Sequence, residues 1–247
     1  RPQSGKNTMR HLLATLALGP LLLLQGKYVR RVTPKLPEPP GARQGESGNG
    51  PPLRLLILGD SAAAGVGAAT QAEALSGQLV AALHGDFRVQ WKLLARTGST
   101  TPETLQHMRS AAREPFDVVV ISLGVNDVTA NRAPASWLRS KMELVQLLQR
   151  EYAAGLVLLS ELPPMHRFPA LPQPLRWYLG VQARRYNRVL AGFAATQAGC
   201  RLESVALPPQ GEALVASDGF HPGAGFYRLW GQHLAQSVRQ NWPSVRV

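Results

Sequence analysis

Four short segments of this 247-residue chain contain side chains that together could carry out nucleophilic catalysis. They are Gly59-Asp60-Ser61, Thr97-Gly98-Ser99, Gly124-Val125-Asn126-Asp127 and Asp218-Gly219-Phe220-His221. A serine hydroxyl becomes a useful nucleophile near pH 7 only when a base accepts its proton. Imidazole, whose ordinary pKa is about 6.5, suits that role, and a nearby carboxylate can fix its tautomer. Each segment alone is also typical of a turn or helix cap, so the interpretation depends on their combination.

Three of the four segments directly follow short apolar runs that are typical of strands buried on both faces. Stretches with helical periodicity separate these runs. This alternation predicts an α/β fold, a three-layer sandwich with a central, mostly parallel five-stranded sheet flanked by helices. In an open α/β sheet the site lies at the carboxyl ends of the strands, where the segments should meet. The predicted strands are Leu53–Leu58, Val89–Ala95, Val118–Leu123, Leu156–Leu159 and Leu202–Ala206, and the predicted helices are Gln71–Leu83, Thr101–Arg113, Ala135–Ala153, Val181–Ala195 and Gly225–Asn241.

In this order and at these strand ends, the four segments resemble the sequence blocks of the SGNH (GDSL-type) serine hydrolases. The resemblance extends from about Leu53 to Asn241, and Ala62 replaces the Leu that follows the serine in the family name. It implies an SGNH/flavodoxin-like fold and a carboxylic ester hydrolase. The implied catalytic residues are Ser61, Asp218 and His221, and the implied oxyanion hole is formed by Ser61, Gly98 and Asn126.

Other kinds of site find no support in the sequence. Ser61 is not in a G-x-S-x-G elbow, because Ala63 occupies the second glycine position. No dinucleotide fingerprint or P-loop is present, and the other histidines have no partner at metal-ligand spacing, so neither a metal nor a cofactor is expected. Asp60 and Asp127 are interpreted as ordering their turns. The single cysteine, Cys200, excludes an intramolecular disulfide and is predicted to be a small buried apolar residue.

A proline-rich apolar segment, residues 163–172, follows the fourth predicted strand and should lie beside the site. With the start of the next helix it supplies four candidate substrate-binding residues, Met165, Phe168, Leu171 and Trp177, although these side chains would fit a core helix equally well. An apolar rim favours short-acyl or aryl esters or lysophospholipids. A carbohydrate acetylesterase, a thioesterase and acyl transfer to an alcohol remain alternatives. Arg167 and Arg176 are candidates for contact with a phosphate or for solvated surface charges.

The 27 Lys and Arg residues exceed the 15 Asp and Glu residues by 12, and half of this excess lies in residues 1–50. A net charge of this size raises the possibility of a nucleic-acid or anionic-membrane partner. No nucleic-acid-reading motif appears and aromatic residues are only 6% of the chain, so no nucleic-acid partner is expected. A basic membrane-binding protein without turnover is the alternative from another functional class.

The N-terminal apolar run Leu12–Leu24 is flanked by Arg10 and by a basic stretch, residues 27–31. It is shorter than the ~20 residues of a spanning helix, and no signal-peptidase site follows it. We therefore predict that residues 10–35 contact an anionic membrane surface, with the following domain on the cytoplasmic side. A cleaved export signal and a helix packed on the domain are alternatives. The Pro- and Gly-rich residues 34–52 predict a linker, which divides the chain into an N-terminal segment, 1–52, and a hydrolase domain, 53–247.

Overall fold

The computed structural model of the chain describes the backbone of residues 3–205 and 214–245 and the side chains of residues 18–205 and 214–242. It confirms the α/β fold with helices on both faces of a central sheet. The last predicted strand ends at Ala206, which lies outside the described residues. The strands are β1 (Gln44–Ser47), β2 (Pro52–Gly59), β3 (Arg88–Ala95), β4 (Val118–Ser122), β5 (Leu156–Ser160) and β6 (Cys200–Glu203). The α-helices are α1 (Gln3–Val32), α2 (Ser61–Ala64), α3 (Leu75–Leu83), α4 (Thr101–Ser110), α5 (Val125–Thr129), α6 (Pro134–Glu151), α7 (Leu175–Thr196) and α8 (Ala224–Val245), and a 3₁₀ turn covers Met165–Arg167.

The sheet has six strands in the order β1-β3-β2-β4-β5-β6, and only β1 is antiparallel to its neighbour among the strands of this sheet. The predicted number of five is therefore wrong by one edge strand. Residues 44–47, predicted to belong to a linker, pair with β3 from Val89 to Lys92. This strand has no buried apolar face, since its residues are exposed or half-buried. Its pairing depends on backbone hydrogen bonds, which leave no hydrophobic pattern in the sequence.

Successive residues of the parallel strands face opposite layers of the core. In β2, Leu55 and Ile57 pack in one cluster with α3 and α8, whereas Leu56 and Leu58 pack in the other cluster with α4, α6 and α7. All four side chains are fully buried. This two-sided burial explains why the strands appear in the sequence as uninterrupted apolar runs.

Cys200 begins β6 and is buried, as predicted, and burial raises the pKa of its thiol to about 11.

Helix α1 packs along one side on the domain. Leu22 and Val29 are buried in the cluster that includes α7. The Gln25 side-chain amide donates to the Gln173 carbonyl oxygen at 2.7 Å, and its oxygen accepts the Leu175 N–H at 3.1 Å. These contacts fix α1 beside the segment that leads into α7. Within the described residues, no helix combines the length and hydropathy that crossing a bilayer requires.

Candidate active site

Ser61 and His221, separated by 160 positions in the chain, meet at the carboxyl end of the sheet. Ser61 is the first residue of α2, and Asp60 caps this helix by accepting the Ala62 N–H at 3.1 Å. His221 Nε2 lies 2.9 Å from Ser61 Oγ. His221 Nδ1 lies 2.5 Å from Asp218 Oδ2. The structure thus brings the three predicted catalytic residues into one hydrogen-bonded row.

Gly59 allows α2 to begin directly after the central strand β2. A Cβ at this position would lie 2.3 Å from the Ala63 Cβ and 2.6 Å from the Ser122 carbonyl oxygen. Such distances are too short for any side chain. The Asp60 N–H donates to the same Ser122 carbonyl at 3.1 Å, which extends the pairing of β2 with β4. Ser61 is therefore held two residues beyond Gly59, which pairs with Ser122 in the sheet.

Asp218 is buried and accepts three hydrogen bonds. Its Oδ1 accepts the backbone N–H groups of Phe220 and His221, both at 2.9 Å, and its Oδ2 faces His221 Nδ1. Burial alone would raise the pKa of the carboxyl group. The hydrogen bonds from the His221 ring and from the two backbone amides outweigh burial, so the pKa lies below its ordinary value. An ionised Asp218 accepts a hydrogen bond from the Nδ1–H group of His221, so the proton stays on Nδ1 and Nε2 is left as the acceptor for the Ser61 hydroxyl.

The two further residues of the predicted oxyanion hole, Gly98 and Asn126, lie at the ends of the strands on either side of β2. Gly98 follows β3 with φ of 84°, a left-handed conformation that favours glycine. Asn126 is in the first turn of α5, directly after β4. Its side-chain Nδ2 donates to the Ser99 carbonyl oxygen at 2.9 Å, which connects the two strand ends.

A buried carboxylate supports this connection. Asp127 is fully buried, and its Oδ2 accepts the Thr101 N–H at 3.0 Å and the Thr101 hydroxyl at 2.9 Å. The Arg132 guanidinium lies 3.2 Å from Oδ1. The Thr101 hydroxyl in turn accepts the indole N–H of the buried Trp137 at 3.0 Å. These contacts agree with the prediction that Asp127, like the cap Asp60, orders the turns of the site.

A buried lysine that the sequence did not reveal lies under the site. Lys141 of α6 is 1% exposed, and its Nζ donates to the Leu123 carbonyl oxygen at 3.0 Å. Burial lowers the pKa of Lys141 to about 8, against the attraction of Asp127 and Asp60. Burial also raises the pKa of Asp60 to about 7. In sequence, Lys141 lies four residues after Trp137 and four before Val145, on the apolar face of α6, and a cation at that position was the signal that could have identified it.

A cavity of about 560 Å³ opens beside Ser61 and His221, at the carboxyl ends of β4, β5 and β6. Of the four predicted substrate-binding residues, only Phe168 lines it. Met165 and Leu171 are buried in the hydrophobic core, and Trp177 is 42% exposed at the start of α7. The cavity also has apolar lining residues that the sequence did not single out: Leu123, Val125, Leu162, Pro163, Phe220 and Phe226.

The two arginines near this cavity have different environments. Arg167 is exposed and lines the cavity. His166 and Arg184 are also exposed and line it. Partial burial, together with the charges of Arg184 and Arg167, lowers the pKa of His166. Arg176 instead donates to the backbone carbonyl oxygens of Leu171 at 2.5 Å and Pro169 at 3.0 Å. Arg176 therefore holds the loop before α7, and Arg167 is the one of the two that faces the cavity.

The site contains groups suited to nucleophilic and acid–base chemistry. In the part of the chain that the structure describes, no three His, Cys, Asp or Glu side chains are grouped so as to hold a metal ion. The chemistry that these residues can support by themselves is proton transfer between Ser61 and His221, with Asp218 fixing the imidazole.

Comparisons with known proteins agree with this geometry. A family model described as GDSL-like Lipase/Acylhydrolase matches residues 57–229, and the predicted family is thereby confirmed. A GDSL-like esterase of Mycobacterium tuberculosis is 27% identical over 241 residues, which cover 89% of this chain and 76% of that protein.

Solved structures share the fold. A lipolytic protein of the G-D-S-L family from Veillonella parvula superposes with a TM-score of 0.59 at 14% identity, covering 77% of this chain and 98% of the other. The psychrotrophic esterase EstA from Pseudoalteromonas sp., solved inhibited by monoethylphosphonate, gives a TM-score of 0.55 at 21% identity, with coverage of 77% and 98%. Because the family model covers more than half of the chain and includes both Ser61 and His221, the chain belongs to the GDSL-like lipase/acylhydrolase family and is a carboxylic ester hydrolase.

Proposed function

We propose that the protein hydrolyses carboxylic esters in two steps through an acyl-Ser61 intermediate. The observation that carries this proposal is a chain of two hydrogen bonds. The first joins Ser61 Oγ to His221 Nε2 at 2.9 Å, and the second joins His221 Nδ1 to Asp218. In the first step Ser61 Oγ attacks the ester carbonyl carbon while His221 Nε2 accepts the hydroxyl proton. The resulting imidazolium then donates that proton to the leaving alkoxide oxygen, and the C–O bond to the alcohol breaks.

The second step uses the same base on a water molecule. His221 Nε2 accepts a proton from the water as its oxygen attacks the acyl carbon of the acyl-Ser61 ester. Collapse of the second tetrahedral intermediate breaks the bond to Ser61 Oγ, which recovers its proton from His221, and the carboxylic acid leaves. Asp218 remains ionised throughout and stabilises the imidazolium that forms in each step.

The negative oxygen of each tetrahedral intermediate requires hydrogen-bond donors. Asn126 has two N–H bonds on its side-chain amide, and the Ser99 carbonyl accepts one of them. This contact orients the amide and leaves the second N–H for the oxyanion. The backbone N–H groups of Ser61 and Gly98 are the other two donors of the proposed hole.

The cavity supports a substrate with a compact apolar acyl or aryl group. Its apolar wall includes Leu162, Phe168 and Phe220, and the rings of the last two are 5.0 Å apart. Arg167 and Arg184 add positive charge to the lining, which would suit an ester with an anionic group such as a lysophospholipid. We therefore propose short-acyl and aryl esters as the first substrate class and lysophospholipids as the second.

Hydrolysis by the Ser61→Ala variant tests the mechanism. We expect loss of p-nitrophenyl acetate hydrolysis and of covalent labelling by a fluorophosphonate, because the nucleophilic oxygen is absent. Ser136→Ala is a matched control, since Ser136 is exposed near the start of α6. Undiminished turnover by Ser61→Ala would contradict the mechanism. A panel of acetyl, butyryl, octanoyl, thioester, lysophospholipid and acetylated-sugar substrates then identifies the class that the cavity prefers.

A further inference from the structure

The exposed large apolar side chains of the protein are concentrated at one place. Where side chains are described, six large apolar residues are exposed, and between 42% and 69% of each residue's surface is accessible to solvent. Five of them are on α1 and the sixth is at the start of α7: Leu21, Leu23, Leu24, Tyr28, Val32 and Trp177. Water-exposed apolar side chains grouped in this way are typical of an interaction surface.

Four of these residues form a stripe along α1, which we call the α1 stripe: Leu21, Leu24, Tyr28 and Val32. Their spacing of three or four residues places them on one side of the helix. A different side of the helix, which includes Leu22 and Val29, is buried against the domain. Because the packing of Leu22 and Val29 fixes the orientation of α1 on the domain, the α1 stripe remains exposed to water.

The charged side chains of α1 have a single sign. The 30 residues of α1 include five Lys or Arg residues and no Asp or Glu. Lys27, Arg30, Arg31 and Lys35 are all exposed, and none forms an ion pair among the described residues. Apolar side chains beside unpaired cations are the combination that favours the surface of an anionic bilayer.

The same charges argue against self-association through the α1 stripe. In a two-fold symmetric pair the same patch is used by both copies. Lys27 and Arg31, which lie nearer the stripe on the helix than Arg30 does, would then approach their copies without an acidic side chain of α1 between them, which is unfavourable. An anionic lipid surface matches both the apolar stripe and its cationic surroundings.

We propose that the α1 stripe and Trp177 dock on an anionic lipid bilayer, with α1 lying in the plane of the interface. The Gln25 contacts with Gln173 and Leu175 join α1 to the segment that follows the loop containing Phe168. Phe168 lines the cavity beside Ser61. Docking would therefore bring the cavity wall close to the lipid. Esters held in the bilayer would then reach Ser61, and this delivery of substrate rests on the proposed function.

Co-sedimentation of the full chain with vesicles tests the docking. We expect binding to vesicles that contain phosphatidylglycerol and phosphatidylcholine, and weak binding to phosphatidylcholine alone. The double variant Leu24→Glu, Tyr28→Glu should bind the anionic vesicles at least about tenfold more weakly, because it loses apolar burial and gains two negative charges. The control Gln106→Glu, Gln236→Glu introduces the same charge change at exposed positions on α4 and α8 and should bind like wild type.

Three outcomes would overturn the proposal. The first is a wild-type chain that stays in the supernatant with anionic vesicles at low salt. The second is a double variant that binds as tightly as its control. Light scattering that shows a dimer for wild type and a monomer for the double variant would assign the α1 stripe to a second copy and would also overturn it.

Two further measurements separate the docking from the proposed function. Ser61→Ala should bind vesicles normally, whatever the reaction of the site. The double variant should hydrolyse dissolved p-nitrophenyl acetate at the wild-type rate but should lose activity on an ester embedded in anionic vesicles. Equal activity of the variant and its control on the embedded ester would contradict the delivery of bilayer substrates while leaving the esterase assignment intact.

Discussion

The side-chain amide of Asn126 donates to the Ser99 carbonyl oxygen at 2.9 Å and so connects the strand ends that follow β3 and β4. This bond fixes the orientation of a side chain that would otherwise rotate at the start of a helix. It also joins the loop that contains Gly98 to the helix that contains Asn126. Two of the three proposed oxyanion donors are thereby held in one arrangement before substrate arrives.

Removal of the Asn126 amide tests its role in stabilising the oxyanion. We expect Asn126→Ala to lower kcat by about 10²–10³-fold with a small change in KM, because the donor acts mainly on the charge that develops in the transition state. Steady-state kinetics with p-nitrophenyl acetate measure both constants. A rise in KM at unchanged kcat would instead assign Asn126 to ground-state binding.

Replacement of Asp218 by Asn tests the orientation of the imidazole. The amide can present an N–H to Nδ1 and favour the wrong tautomer, so kcat should fall by about 10⁴-fold. Circular dichroism should show an intact fold, because the substitution preserves shape. Activity within a few-fold of wild type would show that Asp218 does not select the tautomer.

The same carboxyl group should contribute to stability in a pH-dependent way. Hydrogen bonds lower the pKa of Asp218 in the folded state, so the unfolded chain binds more protons in acid. The resulting stabilisation is present above the ordinary carboxyl pKa of about 3.9 and is lost as pH falls through the lowered value. Urea unfolding between pH 3 and pH 7 should therefore show a weaker acid dependence for Asp218→Asn than for wild type. Parallel curves for the two proteins would contradict this.

Lys141 should stabilise the carboxylates under the site as part of a coupled group. Lys141→Met removes the buried donor to the Leu123 carbonyl oxygen, and we expect a loss of about 1–3 kcal/mol in the free energy of unfolding. The double variant Asp60→Asn, Lys141→Met should lose less than the sum of the two single losses, because one of the two carboxyl groups that attract Lys141 is then absent. Strict additivity in urea unfolding would show that Lys141 and Asp60 are not coupled.

Phe168 and Leu171, three residues apart in one loop, should respond differently to truncation. Phe168→Ala enlarges the cavity, so hydrolysis of p-nitrophenyl octanoate should rise relative to the acetate. Leu171→Ala should leave this ratio unchanged and lower the free energy of unfolding by about 2–5 kcal/mol, since Leu171 is only 2% exposed in the core. A changed chain-length preference in Leu171→Ala alone would contradict the cavity assignment.

The parts of the structure that the sequence predicted are those whose burial leaves a periodic pattern. The runs that became β2 and β4 are buried on both faces, and the polar residues that follow them had to meet at one edge of the sheet. That topological rule, together with the resemblance, places Ser61 and Asn126 in the same predicted site.

Strand β1 and the loop around Phe168 were missed because their contacts leave no such pattern. Strand β1 is held by backbone pairing. Lys141 differs from them, because its spacing from Trp137 and Val145 does place it on the apolar face of α6. The loop around Phe168 has no repeating geometry, so its composition could not separate Phe168, which lines the cavity, from Leu171, which fills the core.

The absence of a side chain at Gly59 has a consequence for how this protein could diversify. Because a Cβ at Gly59 has no room beside Ala63 and Ser122, α2 can begin directly after β2, which holds the Ser61 hydroxyl, the proposed nucleophile, at the end of the central strand. The cavity wall, by contrast, is supplied largely by connections after the neighbouring strands. We therefore expect substitutions in those connections to alter which esters are accepted while the position of the proposed nucleophile stays constant. The preference for one ester over another can therefore evolve without a change in the position of Ser61.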